Sequence, residues 1–563
     1  SIALPQTSGT RAENDNFNDG LADEYKINNA AIVLFKGVPT DNETSYTFQG
    51  AYEISPTSST PGDETVTVQL ARTFRVNSVT LDNTKGEKIF ALALVNYTGR
   101  VTITGNGLTV GSTDMTNKTF GDLLKETSNN DFVGTSKNDF FMTNAVMSNN
   151  AGGSNSPLTN SKASIFTLVQ CADECIFEDE GKAQQNPACT INVERAVAKA
   201  TLHAENPTVT IINGDGTEGA SLVVTEVKWV LDNTEPSSFV VRNMGEKAAD
   251  NTYPYDTYLG YKNDDCASEV TTGPYRMVGA LQSSKLQEKA RTYWCYDPQY
   301  DKDAALTTGA PTNDNAWGLT GDNHPQYCHE NTFTAEYQTW KNTTRAVLKV
   351  TYKYKANSSA TAEEKDIYVT NGVNSVYYVD ADQTGIKSAF LGNTELIDAY
   401  HQYAGTGTHD MGTDFTFTYE NKNNVLKIKS IEVSTKINGA TDATEVTLYT
   451  AAEGETEASY GELKKANDTD ENETVYFASS KVQDLVTAVE SAVNVDIYKN
   501  GVAYYQVRIK HFGDDLTPWN TTQHPVKLTA NYTTDVAYAF GSNPNAVNEE
   551  AFLGRYGMVR NNW

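Results

Sequence analysis

The chain has 563 residues and a formal net charge of −28, from 44 basic against 72 acidic side chains. A polyanion of this size repels another polyanion, so nucleic acid is excluded as a partner, and the charge suits a soluble, extracellular surface. At 38% hydrophobic residues, with 31 Tyr and 20 Phe, the composition supports packed cores rather than wholesale disorder, and the length predicts two or more domains.

Residues 1–11, Ser-Ile-Ala-Leu-Pro-Gln-Thr-Ser-Gly-Thr-Arg, read as a short edge strand, since Pro is tolerated at a sheet edge or strand end. They begin like the inside of a longer precursor. Residues 12–24 are acidic and contain Gly, which predicts an exposed, flexible stretch. The junction Arg11–Ala12 therefore offers an accessible basic residue to a trypsin-like protease. Strands come next at Ala30 to Lys36, Thr65 to Leu70, Ile89 to Val95 and Arg100 to Thr104, each apolar or alternating. Thr119 can cap a short helix through Lys125. Phe140 to Asn144 leads into another strand. Ile191 to His203 has the composition of a helix but places Ala196, Ala198, Ala200 and Leu202 on one face of a strand, and strand is the assignment made here.

Pro207 to Ile212 and Leu222 to Val230 open a second domain. Residues 243–343 form a loop-rich insertion in it, with little periodicity. Ala346 to Tyr354, Ile367 to Val369 and Ser375 to Val379 are strands. Ile386 to Leu391 makes one or two helical turns. A longer helix over 480–493 has Ser480 as cap and a core stripe of Val482, Leu485, Val486, Val489 and Val493. Lys499-Asn500-Gly501 is a turn signal, so Val502 to Lys510 reads as one arm of a β-hairpin.

The six cysteines fall into two groups, Cys171, Cys175 and Cys189, then Cys266, Cys295 and Cys328. An even count in an exported protein favours disulfides, and the second group is expected to staple the insertion. Complete pairing needs at least one bridge between the groups; otherwise one thiol is left in each. Cys295, His324, Cys328 and His329 have zinc-ligand chemistry, but their spacing matches no C-x₂-C module. Asp380 to Gly385 is a weak match to a calcium loop. No nucleophile elbow, H-E-x-x-H, P-loop or dinucleotide fingerprint occurs, so no catalytic residue, cofactor or metal is assigned and no enzyme activity is expected.

One combination is more specific. The run Tyr504-Tyr505-Gln506-Val507-Arg508-Ile509-Lys510-His511-Phe512-Gly513-Asp514-Asp515, and after it Arg555-Tyr556-Gly557-Met558-Val559-Arg560-Asn561-Asn562-Trp563, resembles the C-terminal signature of fimbrillins, the subunits of type V pili of Bacteroides-like bacteria. Val193 to Lys199 and Val227-Lys228-Trp229-Val230 are similar to two further family segments. The resemblance implies a mainly β fold of two tandem transthyretin-like β-sandwiches. Their boundaries would be 12–205 and 206–563, preceded by a strand, 1–11, that is removed on maturation. It implies a lipoprotein precursor, cleavage after Arg11 by an Arg-specific protease, and a donor strand that would follow Trp563 and is absent here. The chain would then be the unprocessed form of a pilin of cell-surface fimbriae, exported through the outer membrane. It would polymerise with neighbouring and accessory subunits by strand exchange and support adhesion to host or bacterial surfaces and biofilm formation. Two alternatives stay open: a tip or anchor subunit whose insertion binds a ligand, and a secreted glycan-binding β-sandwich protein.

Overall fold

The computed structural model describes residues 2–3, 22–54, 69–70, 79–134, 137–149, 164–204, 208–212, 218–244, 277–278, 291–292, 295–300, 302, 317–333, 342–370, 376–466, 472–509 and 557–560. The fold is mainly β, with several antiparallel sheets. By contact the chain forms two compact units. The first is Ser1–His203, Trp229–Leu348 and Gln506–Trp563; the second is Ala204–Lys228 and Lys349–Tyr505. The sequence divides the chain once, near residue 205, whereas these units interleave. Described residues of the 243–343 segment, and of the C-terminal motif from Gln506 onward, group with the first unit.

The first unit is built on an eight-stranded sheet: β1 (Ile2–Ala3), β2 (Ala30–Gly37), β3 (Thr47–Ile54), β4 (Gln69–Leu70), β5 (Lys88–Val95), β6 (Met142–Asn144), β7 (Val169–Gln170) and β8 (Ile191–Arg195). The order is β3-β2-β5-β6-β8-β1-β4, with β7 also pairing β5. β2 and β5 are continuous apolar runs because both their faces are covered: Ala31, Val33, Phe35, Leu92 and Ala93 are all fully buried. Asn144 stitches this centre together, accepting from Ala93 N at 2.8 Å and donating to Ala91 O and Thr167 O. The short helix Phe120–Leu123 starts at Thr119 with a reciprocal capping box to Asp122, as its sequence predicts.

Residues 191–203 are extended, but not as one strand. β8 pairs with β6, while β9 (Ala198–Ala200) pairs with Gln326–Cys328 in a separate ladder. The chain changes sheets at Ala196 and Val197, which are buried at the corner.

The second unit contains a seven-stranded sheet, a helical layer and the parts of another sheet that fall within 204–228 and 349–505. β13 (Ile367–Thr370), β14 (Val376–Tyr378), β15 (Phe415–Lys422), β16 (Val425–Thr435), β17 (Thr444–Thr450), β18 (Ser459–Tyr460) and β19 (Val495–Tyr498) form a seven-stranded sheet. The other sheet takes its strands from β10 (Thr208–Ile212), β11 (Glu218–Asp232), β12 (Arg345–Lys355) and β20 (Val502–Arg508). Helices α1 (Ile386–Leu391), α2 (Thr394–Ala404) and α3 (Ser479–Ala492) share a core with the larger sheet through Phe390, Tyr400, Tyr403, Phe417, Ile428, Val486 and Ile497. Alternation along β19 explains the layering. Val495 and Ile497 face that core, and Tyr498 lies on the opposite side, stacked on Tyr352 of β12 at 6.2 Å.

Two expectations need correction here. Val502–Arg508 is a strand, yet it does not pair with Val495–Tyr498, so the turn at Lys499–Gly501 is not a hairpin. It carries the chain from one sheet to the other, with Asn500 left-handed (φ 52°) and Gly501 so close to Tyr352 that a Cβ would lie 2.2 Å from its carbonyl oxygen. The long helix starts at Ser479, and Ser480 does not cap it. Instead Glu462 accepts from Ser479 N and Oγ.

Candidate functional site

The N-terminal strand sits inside a sheet. Ile2 and Ala3 pair in parallel with Ile191 and Asn192 of β8, and antiparallel with Leu70 and Gln69 of β4. The sequence predicts an edge position; β4 takes that place, because it supplies a partner for the outer backbone groups of β1. A parallel neighbour needs a long connection, and here nearly the whole first segment of the chain separates the two strands. Arg11 and Ala12 lie outside the described residues, as does Leu4.

The chain downstream of that junction is fixed at Glu24. Its carboxylate is almost fully buried and accepts from Lys199 Nζ at 2.7 Å and Tyr327 Oη at 2.8 Å, with Arg195 at 3.5 Å. The Arg195 Nε also donates to the Glu24 carbonyl at 3.2 Å, and its guanidinium lies 4.8 Å above the Tyr25 ring. Burial opposes ionisation of Glu24, but the charges of Arg195 and Lys199 outweigh it and hold the carboxyl below its ordinary value.

The described end of the C-terminal motif is anchored in the same unit. Met558 and Asn331 exchange backbone hydrogen bonds of 2.8 Å in both directions. Arg560 is fully buried, with its guanidinium 2.9 Å from Glu330, 3.1 Å from Ser238 Oγ and 2.8 Å from Phe239 O. Its backbone N donates to Glu330, and its carbonyl accepts from Arg242 at 2.9 Å. Arg242 in turn donates to Glu194, and the Cys295 thiol donates to Glu330 at 2.6 Å. Two cations and two anions thus form a neutral, desolvated cluster. Burial pushes the Glu330 carboxyl up, yet Arg560 and Arg242 pull it further down, so it stays ionised. Burial also raises the Cys295 thiol, and the Glu330 charge raises it further, so it remains a donor.

A second carboxylate pair has the opposite character. Burial, then repulsion from Glu235, pushes Asp297 up to about 8; burial pushes Glu235 up to about 7. Asp297 accepts from Thr332 N and Oγ1 and from Gln299 N, and Glu235 accepts from the Gln299 amide, while Lys302 is the cation whose charge opposes the rise at Glu235. Both folded values lie above the ordinary ones, so the stability they contribute is complete below about pH 4. It is lost as pH rises to 7–8. Denaturant melts are expected to show stability falling by up to about 1.4 kcal/mol per pH unit for each group across that window. Asp297→Asn with Glu235→Gln should flatten the profile; an unchanged slope would refute the assignment.

The cysteines separate by environment. Cys171 and Cys189 meet with Sγ atoms 3.8 Å apart, and Cys175 sits on the 3₁₀ turn Asp173–Cys175. Cys328 is buried in the Gln326–Cys328 strand, where burial pushes its thiol up to about 12. Cys266 lies outside the described residues. His329 packs edge-on against Phe132, with ring centroids 4.9 Å apart. Asp380, in the calcium-like stretch, caps a 3₁₀ turn by accepting from Asp382 N. No cluster of three or more His, Cys, Asp or Glu side chains able to hold a metal occurs among the described residues. No protein-family model matches the chain, and no curated protein matches it.

Sequence reasoning reaches Glu194 and Arg560 only as members of motifs and does not single out Glu24, Arg242 or Glu330. A signal is present: Val193-Glu194 puts a charge inside a buried strand, and Val240-Val241-Arg242 sets one directly after two buried valines. What sequence spacing does not disclose is which opposite charges meet, since the partners lie 48 and 230 residues apart.

Proposed function

We propose that the chain is a structural subunit of a type V fimbria, a pilin that polymerises by protease-triggered strand exchange. The observation that carries this reading is the placement of Ile2–Ala3 between β8 and β4, where a short terminal strand fills a slot that needs backbone pairing on both sides. In this reading each unit is a transthyretin-like β-sandwich, the second bearing helices on one face. Residues 1–11 are a placeholder, an Arg-specific protease cuts between Arg11 and Ala12, and a strand from the next subunit takes the vacated slot. The contact is heterologous and therefore propagates as a filament on the cell surface. Buried, paired Glu24 supports the reading, because it fixes the chain beyond the cut. The C-terminal cluster supports it as well, because it seats the segment from which the donor strand would leave.

The test uses the full-length secreted protein. Limited digestion with an Arg-specific protease should cut after Arg11 well before Arg195, which is buried and bonded to Glu24. The trimmed protein should form ladders resistant to mild denaturation. Arg11→Ala should keep the fold and form no ladder, and a variant that still polymerises would exclude the mechanism.

A further inference from the structure

We propose that Cys171 and Cys189 form an intrachain disulfide that closes the 172–188 excursion of the first unit, leaving Cys175 as a thiol. The two segments are already held in place. Cys171 N donates to Ile89 O of β5 at 2.8 Å, and Ala172 N donates to Ala188 O at 2.8 Å, so each cysteine adjoins a residue of one backbone bond. The Sγ atoms stand 3.8 Å apart, with the Cys171 thiol donating to Cys189. The proposed closure brings these atoms to the roughly 2.05 Å of an S–S bond.

Between them the chain makes the 3₁₀ turn Asp173–Cys175 and the helix Glu180–Gln185, none of whose residues is buried. An excursion without apolar anchors gains most from a covalent closure at its base. Cys175 is on the excursion itself, which leaves Cys171 and Cys189 as the pair at the base.

The chemistry is thiol–disulfide exchange. Cys189 is the more accessible of the two, and the Cys171 hydrogen bond favours its thiolate. It attacks a small-molecule disulfide such as oxidised glutathione, expelling one glutathione thiolate and forming a mixed disulfide. Cys171 then loses its proton to solvent and displaces the second glutathione. Two protein thiols are oxidised, and one glutathione disulfide is reduced to two thiols. An oxidising compartment rests on the pilin reading, but the test supplies its own oxidant and is independent of polymerisation.

The full chain is reduced, freed of reductant, incubated with oxidised glutathione, alkylated and cut with trypsin. Peptides 163–182 and 183–195 should be recovered joined, and fragmentation should place the bond at Cys171–Cys189 with Cys175 alkylated. Cys175→Ala should keep the link, whereas Cys171→Ala and Cys189→Ala should lose it. The oxidised form should melt about 5–10 °C above the reduced form. A bond through Cys175, an unresolved mixed disulfide, or three alkylated thiols would overturn the proposal.

Discussion

Replacing Arg560 by Ala is expected to destabilise the first unit by about 3–5 kcal/mol, the cost of stranding a buried charge rather than of losing one contact. Arg560 and Glu330 are both inaccessible to solvent, and the cluster they form with Arg242 and Glu194 is neutral as a whole. Removing one cation leaves a net negative charge where water does not reach. Arg560→Lys should recover only part of the loss: the contacts to Glu330, Ser238 Oγ and Phe239 O all come from Nη2, and the shorter lysine stem does not carry its ammonium to that point. The double replacement Arg560→Met with Glu330→Leu restores neutrality and should be far less damaging than the sum of the two single changes. Urea denaturation monitored by signals of the first unit measures each of these proteins. A single Arg560→Ala cost below about 1 kcal/mol would show that the C-terminal motif is not seated in the unit's core.

The strands that are legible in the sequence are those whose burial leaves a periodic trace. β2 and β5 are apolar over residues 30–35 and 89–95 because both faces are covered there, and β12 alternates because one is not. α2 carries a comparable trace. Asn393 accepts from Leu396 N as its cap, and Leu396, Ala399, Tyr400 and Tyr403 recur at helical spacing on the buried side. β15 and β16 carry the same alternation, Phe415, Phe417 and Tyr419 against Thr416, Thr418 and Glu420 in the first of them, so these strands are equally legible. What local pattern cannot carry is partner choice. Asn500-Gly501 has the residues of a hairpin turn, but the flanking strands join different sheets because Gly501 must slip beneath the Tyr352 carbonyl. The interleaving of the two units is hidden for the same reason: strand pairing is long-range, and sequence order says little about it. The cysteine groups illustrate both sides. Counting leaves the pairing open, while the Ala172–Ala188 backbone bond selects one pair from the first group.

Trimming residues 1–11 should lower the melting temperature of the first unit and raise amide exchange along Ile191–Arg195, because β8 loses its parallel neighbour. The effect is expected to be reversible in trans. A synthetic peptide of residues 1–10 supplies the same backbone pairing in the same register, Ile2 opposite Ile191 and opposite Leu70. At about one hundred times its dissociation constant it should return about 2.7 kcal/mol of stability and restore protection over β8. A peptide N-methylated at Ala3 keeps every side chain but removes a backbone donor at the centre of the pairing. It should bind far more weakly, which separates strand addition from adhesion of an apolar peptide. The unmodified peptide should also compete with subunit addition when the full-length protein is trimmed, shortening ladders in proportion to its occupancy of the slot. Equal rescue by a scrambled or N-methylated peptide, or trimming that leaves exchange over Ile191–Arg195 unchanged, would show that β1 is an appendage and that the slot is not the site of assembly.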